Sequence, residues 1–223
     1  MRKFVLSAAA SALALGIAAP AFAQDGPLPE EGNFSGPRAG IILGYDRMQP
    51  GNVPNSDIDN RNSADGLTYG GDIGYDIDTG RAVFGVEGEV TGSTAKVTNR
   101  AAANALGYGR VKAGRDLYAG VRAGIKLAPQ SLLYAKAGYT NQRLDLVAGA
   151  GDGTETGNHY NLDGYRVGAG FEQSLGRKAY AKVEYRYSNY GRARLEFPNG
   201  ANTDNFGVDT DRHQVVAGVG VRF

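Results

Sequence analysis

Residues 213–223 read HQVVAGVGVRF, and the alternation within them decides the fold. Val215, Ala217, Val219, Val221 and Phe223 are all apolar, whereas Gln214, Gly218, Gly220 and Arg222 between them are small, polar or charged, with Val216 the one exception. A period of two puts these sets on opposite faces of a β-strand. The strand is greasy on one side, crowded with glycine and charge on the other, and stops on a bulky aromatic.

The same alternation recurs upstream. Eight stretches carry it: Pro37–Asp46, Leu67–Ile77, Ala82–Val90, Arg115–Leu127, Leu132–Gln142, Leu162–Gln173, Ala179–Ser188 and Arg212–Phe223. Several exceed the five or six residues usual in soluble strands. Their connections alternate between tight turns (78–81, 128–131 and 175–178) and long polar segments (47–66, 91–114, 143–161 and 189–211). Short turns at one end and long loops at the other are the layout of an outer-membrane barrel.

The charges decide which way the faces point. Leu67, Tyr69, Ile73, Tyr75, Phe84, Val86, Val121, Ile125, Leu133, Tyr139, Val167 and their strand-mates form one alternating set, free of Asp, Glu, Lys and Arg. The opposite set carries Asp72, Asp76, Glu87, Glu89, Asp116, Glu172 and Glu184 against Arg122, Lys126, Lys136, Arg166, Lys182, Arg186 and Arg222, interleaved with glycines. A soluble lipocalin-like binding barrel would turn its apolar face inward to a ligand. A membrane barrel does the reverse, and three features favour it: aromatics near the strand ends, glycines beside the charges, and a balance of acids and bases. Charges taken out of bulk water must pair, and an eight-stranded interior is only wide enough for side chains to fill it.

The expected fold is therefore all-β: an eight-stranded antiparallel transmembrane β-barrel, an up-and-down meander over residues 37–223. Its lumen network comprises Glu87, Glu89, Arg122, Lys136, Arg166, Glu172, Lys182, Glu184, Arg186 and Arg222, with Glu184, Arg186 and the flanking Lys182 at its centre. Residues 1–23 have the form of a cleaved signal peptide, with Arg2 and Lys3 before an apolar stretch and Ala21-Phe22-Ala23 at the cleavage site. Residues 24–36, rich in Pro, Gly and Glu, read as a flexible lead-in. A formal charge of +1 gives no basis for a nucleic-acid partner, and the absence of cysteine excludes disulfides and thiolate metal sites.

Three segments carry a resemblance: Gly36–Tyr45 (GPRAGIILGY), Glu184-Tyr185-Arg186-Tyr187 with Gly191, and the last strand ending in Phe223. On these the chain resembles the small eight-stranded outer-membrane barrels of the OmpA, OmpX and opacity-protein type, including those described as porin-family outer-membrane barrel domains. The resemblance implies residence in the outer membrane among its lipids. It also implies that Phe223, Val221 and Val219 form the signal read by the barrel-assembly machinery.

Catalysis requires a nucleophile, a base and an orienting group. The two histidines, His159 and His213, lie in a long connection and at the start of the last strand, without the Ser spacing of barrel enzymes that trim acyl chains. Asp76, Asp78 and Glu87 have the spacing of a calcium loop, but Arg81 stands where that loop needs glycine. Asp152 and Glu155, in GAGDGTETG, lie in a glycine-rich connection. No enzyme activity and no cofactor are expected. The expected role is structural or surface-interacting, with any surface ligand met by the long loops; a narrow channel for small solutes is the alternative.

Overall fold

The computed structural model describes residues 34–50, 64–98, 108–148, 155–196 and 206–223. The expected signal peptide and residues 24–33 of the expected lead-in lie outside these residues. The strands are β1 (Gly36–Pro50), β2 (Ala64–Asp78), β3 (Ala82–Ser93), β4 (Lys96–Thr98), β5 (Tyr108–Ala128), β6 (Ser131–Ala148), β7 (Glu155–Leu175), β8 (Ala179–Glu196) and β9 (Phe206–Arg222). Every pairing is antiparallel, in the order β3-β2-β1-β9-β8-β7-β6-β5-β4. β3 also pairs with β5, which closes the ring.

β4 continues β3 past Thr94 and Ala95 along the same edge of β5, so nine strands make eight staves. The first and last staves pair from Arg38↔Arg222 to Pro50↔Thr210. Closure has a physical cause, because an open edge in lipid leaves N–H and C=O groups unpaired at several kcal/mol each.

The strands run further than alternation alone indicates. β5 begins at Tyr108 rather than Arg115, β7 at Glu155 rather than Leu162, and β8 continues to Glu196 rather than Ser188. Apolar alternation ends where lipid ends, whereas the hydrogen-bond ladder needs only a partner strand. The register breaks between Ala113 and Asp116, Asp163 and Gly164, and Tyr190 and Arg192 all fall in this outer part.

The apolar alternating set faces outward. Ile41, Leu43, Leu67, Ile73, Ile77, Val86, Val121, Ile125, Val219 and Val221 are all exposed, Ile73 at 68% and Val121 at 59%. In lipid this is the favourable side, and an inverted barrel would have buried them. Val121→Arg, in the middle of β5, is therefore expected to cost about 2–4 kcal/mol of folding free energy in bilayers, read from urea titrations of the protein in lipid vesicles.

At the long-connection end three outward strand pairs repeat one clasp. Tyr45 donates to Asp65 at 2.7 Å, Tyr187 to Asp211 at 2.6 Å, and Tyr139 to Asp163. In each, the aspartate lies two positions before the residue directly opposite the tyrosine, since Tyr45 faces Leu67, Tyr139 faces Tyr165 and Tyr187 faces His213. The ring stays against the apolar wall while its hydroxyl reaches a polar partner, as an interfacial aromatic requires. Tyr75, Phe84 and Phe223 stand toward the opposite, short-turn end.

The interior is not purely ionic. Tyr118, Tyr134, Tyr180 and Tyr190 also point inward and are buried. Glycines make room for them: a Cβ on Gly40 would lie 2.8 Å from the Tyr180 hydroxyl, and one on Gly170 would lie 2.6 Å from the Tyr134 ring.

Candidate functional site: the ion-paired lumen

Period-two geometry sends every second residue of each stave to the axis. Among the described residues, the buried acids are Asp46, Asp72, Asp76, Glu87, Glu89, Asp116, Glu172 and Glu184. The buried bases are Arg38, Arg122, Lys136, Arg166, Lys182, Arg186, Arg212 and Arg222, so the formal charges cancel. Every stave contributes at least one of them. Burying an unpaired charge is prohibitive in a narrow lumen, so charge balance and geometry must be met together.

Near the short-turn end the hub is an anion. Asp76 accepts from Arg38 Nε at 3.1 Å, from Arg122 Nε at 2.8 Å and Nη2 at 2.5 Å, and from Arg222 Nη1 at 2.7 Å. Glu172 accepts the third bond of Arg122, at 2.9 Å, and one from Arg222 at 2.5 Å. Arg38 links this tier upward through Asp72 at 2.6 Å and through Glu87.

In the middle tier the hub is a cation. Lys136 Nζ lies 2.6 Å from Glu87, 2.6 Å from Glu89 and 2.7 Å from Glu184. Tyr134 donates to the second Glu184 oxygen at 2.7 Å, and Arg186 bonds Glu184 and, at 2.7 Å, Glu89. Glu87, Glu89 and Glu184 offer oxygens within 4.8 Å of one another, spacing that suits a metal ion. The Lys136 ammonium takes the cation's place at this point.

The tier toward the long connections turns on Asp116, which accepts from Arg166 at 2.5 Å, from Thr140 at 2.8 Å and from Arg212. Arg212 also grips Asp46 with two nitrogens of its fork, at 2.8 and 2.7 Å. Arg166 joins this tier to the middle through Glu89 at 3.3 Å. A continuous path of ion pairs thus runs Asp46–Arg212–Asp116–Arg166–Glu89–Lys136–Glu87–Arg38–Asp76, from one end of the lumen to the other.

All ten residues expected in the lumen network face the interior and are at most 4% exposed. Six buried partners were absent from those ten: Asp72, Asp76 and Asp116, which the sequence placed on the charged face without assigning them to the network, and Arg38, Asp46 and Arg212, which it placed on neither face. Each shares the inward parity of its own strand, and that was the signal available. Glu184 and Arg186 do meet in the middle tier, but the residue that three carboxylates share there is Lys136. Lys182 turns away to Asp72, at 3.1 Å. Lys126 sits partly exposed near the short-turn mouth, paired with Asp78.

The other candidates are elsewhere. Asp76 and Glu87 are committed to arginines. Asp78 Oδ1 accepts from the Gly80 N–H at 2.8 Å, and the Thr79 N–H donates to the Ala82 carbonyl at 2.8 Å. Residues 76–81 therefore end a strand and make a hairpin turn, with Gly80 at positive φ, rather than a calcium loop. His213 Nδ1 lies 2.7 Å from the Tyr185 hydroxyl, on the outer wall. Asp152 and the side chains of His159 and Glu155 lie outside the described residues. Val219 and Val221 are exposed on the lipid wall, and Phe223, 75% exposed, donates its N–H to the Pro37 carbonyl at 3.0 Å.

Comparison with known proteins agrees with this geometry. The family model described as "Outer membrane protein beta-barrel domain" matches residues 9–223. A "22 kDa outer membrane protein" of Rhizobium leguminosarum bv. viciae is 29% identical over 157 residues, covering 70% of this chain and 66% of that protein. Among solved structures, Neisserial surface protein A superposes with a TM-score of 0.56 at 14% identity, over 85% of this chain and 98% of its own. The attachment invasion locus protein of Yersinia pestis, also 14% identical, covers 85% of this chain and 99% of its own with a TM-score of 0.44.

Proposed function

We propose that this chain, which belongs to the outer membrane protein beta-barrel domain family, is a closed, non-conducting barrel of the outer membrane with a structural and surface-interacting role. The observation that carries the proposal is the lumen: opposed acids and bases from all eight staves fill it with ion pairs at both ends and at the centre. A hydrated solute entering would have to separate buried charges, and breaking one such pair costs about 3–5 kcal/mol. Swelling of liposomes containing the purified protein tests it. Glycine and small sugars should enter no faster than into protein-free liposomes, whereas swelling graded by solute size would establish a narrow channel instead.

Surface interaction is assigned to the end with the long connections, because there the hairpins extend beyond the apolar band and the polar sequence is concentrated. In outer-membrane barrels that end faces outward. Residues 1–23 act as the export signal in this proposal, and residues 24–33 lead into the barrel.

The last strand has a second part to play during assembly. We assign Phe223, Val221 and Val219 to recognition by the barrel-assembly machinery; they form an exposed apolar row on the stave that closes the ring. Deleting Phe223 removes one backbone bond to Pro37 and one lipid anchor, so the finished barrel should lose little stability. Its yield in the outer membrane of cells should fall severalfold, while refolding of the purified variant into lipid vesicles stays close to that of the parent. Equal losses in both assays would reduce Phe223 to an anchor.

A further inference from the structure

Val83 and Leu132 are the first inward-facing residues after the short turns that precede β3 and β6, where water meets the lumen. Both are apolar on a face otherwise dominated by charge and glycine, yet they are only 1% and 0% exposed. What covers them is Phe34, from the segment before β1. Its side chain is 0% exposed and packs with Val83, Leu132 and Tyr134. In the ring of eight staves β6 stands opposite β1, four steps away in either direction, so this side chain reaches across the mouth rather than along one wall.

The backbone is shaped for that entry. Gly36 has φ of +99°, a conformation favoured by glycine, and a Cβ there would lie 2.8 Å from the Phe223 carbonyl oxygen. The adjacent Ser35 hydroxyl reaches the Asp76 carbonyl at 3.5 Å. Two cations frame the ring: Lys126 Nζ lies 5.6 Å from the Phe34 centroid and the Arg222 guanidinium carbon 5.7 Å from it. Both lie in the range where a cation is attracted to an aromatic face. Arg222 also holds Asp76 and Glu172, so the ring abuts the ionic tier at this end.

We propose that the short-turn mouth is a docking surface whose occupant is the chain's own segment at Phe34, and that this side chain is a stopper sealing the lumen on the periplasmic side. An apolar floor of Val83 and Leu132 receives the ring, and the Lys126 and Arg222 cations border it. The seal lies in series with the ion pairs above it.

The chain contains no cysteine, so a single thiol reports on the mouth without background. Val83→Cys, close in size to the original, is reacted in detergent micelles or lipid vesicles with a charged, membrane-impermeant maleimide, and only the fraction with the gel mobility of folded barrel is counted. With Phe34 present the thiol should react slowly. Adding Phe34→Ala should accelerate the reaction at least roughly tenfold, the ratio set by burial of one such side chain. Phe34→Leu, which refills most of the space, should restore slow reaction. If Val83→Cys does not fold, Leu132→Cys serves in its place. Rapid labelling with Phe34 intact, or a rate that Phe34→Ala leaves unchanged, would overturn the proposal. Conduction through the parent barrel would contradict both the seal and the ion-paired closure, which lie in series, whereas thiol reactivity reads the mouth alone and tells the two apart.

Discussion

Replacing Asp76 by alanine is expected to destabilise the barrel more than any single substitution on its lipid face, by about 3–5 kcal/mol. Asp76 is 0% exposed, and three guanidinium groups converge on it, from Arg38, Arg122 and Arg222. Arg122 and Arg222 would keep Glu172, and Arg38 would keep Asp72 and Glu87, but the anion separating the three cations would be gone. Like charges would then face one another where little water can screen them. Urea titration of the protein in lipid vesicles gives the loss. If the cause is charge imbalance, the double variant Asp76→Ala with Arg122→Met should recover a large part of it, whereas two independent cavities would simply add.

The mirror-image experiment is Lys136→Met, which preserves much of the aliphatic stem and removes the ammonium. Glu87, Glu89 and Glu184 would then confront each other with oxygens within 4.8 Å, with Arg38 remaining on Glu87, Arg166 on Glu89, and Arg186 shared between Glu89 and Glu184. A loss of about 3–5 kcal/mol is again expected, with an added signature that distinguishes charge from packing. Three converging carboxylate oxygens suit a hard divalent cation. Calcium or manganese should raise the urea midpoint of Lys136→Met and chelation should lower it, while the parent should respond to neither. A variant equally unstable with and without the ions would mean that packing around the lysine stem outweighs its charge.

Much of this interior was legible in the sequence because a β-strand converts parity into sidedness without further information. Once His213–Phe223 showed one greasy face, the parity of Glu87, Arg122, Lys136, Arg166 and Glu184 within their own strands placed them at the axis. Arg38, Asp46 and Arg212 obey the same rule but stand near the ends of their alternating stretches, where a neighbour of either kind is compatible with strand or loop. Which acid meets which base is a different matter. It depends on stagger between staves, so Lys182 reaching Asp72 rather than Glu184 follows from three dimensions and not from spacing.

The inward tyrosines were hidden by chemistry instead. Tyr118, Tyr134 and Tyr180 are amphipathic, and an aromatic near a strand end fits an interfacial girdle as readily as a lumen. Their inward parity and the glycines beside them are the discriminating signs. Phe34 was illegible for a simpler reason: it lies in a non-periodic Pro- and Gly-rich segment, and only the fold brings it against Val83 and Leu132. The extensions of β5, β7 and β8 beyond the alternating region escaped because their sequences carry no sustained apolar alternation.

Closure of the lumen by ion pairs can be tested by recording current through planar bilayers containing the purified, folded protein at high salt and constant voltage. Insertion should be verified by heat-dependent gel mobility of the same preparation. The expected record is flat, with no unitary steps above the protein-free background at either polarity. Reproducible steps of one size, altered in amplitude or ion selectivity by Glu184→Gln or Lys136→Met, would show instead that the paired charges line an open path.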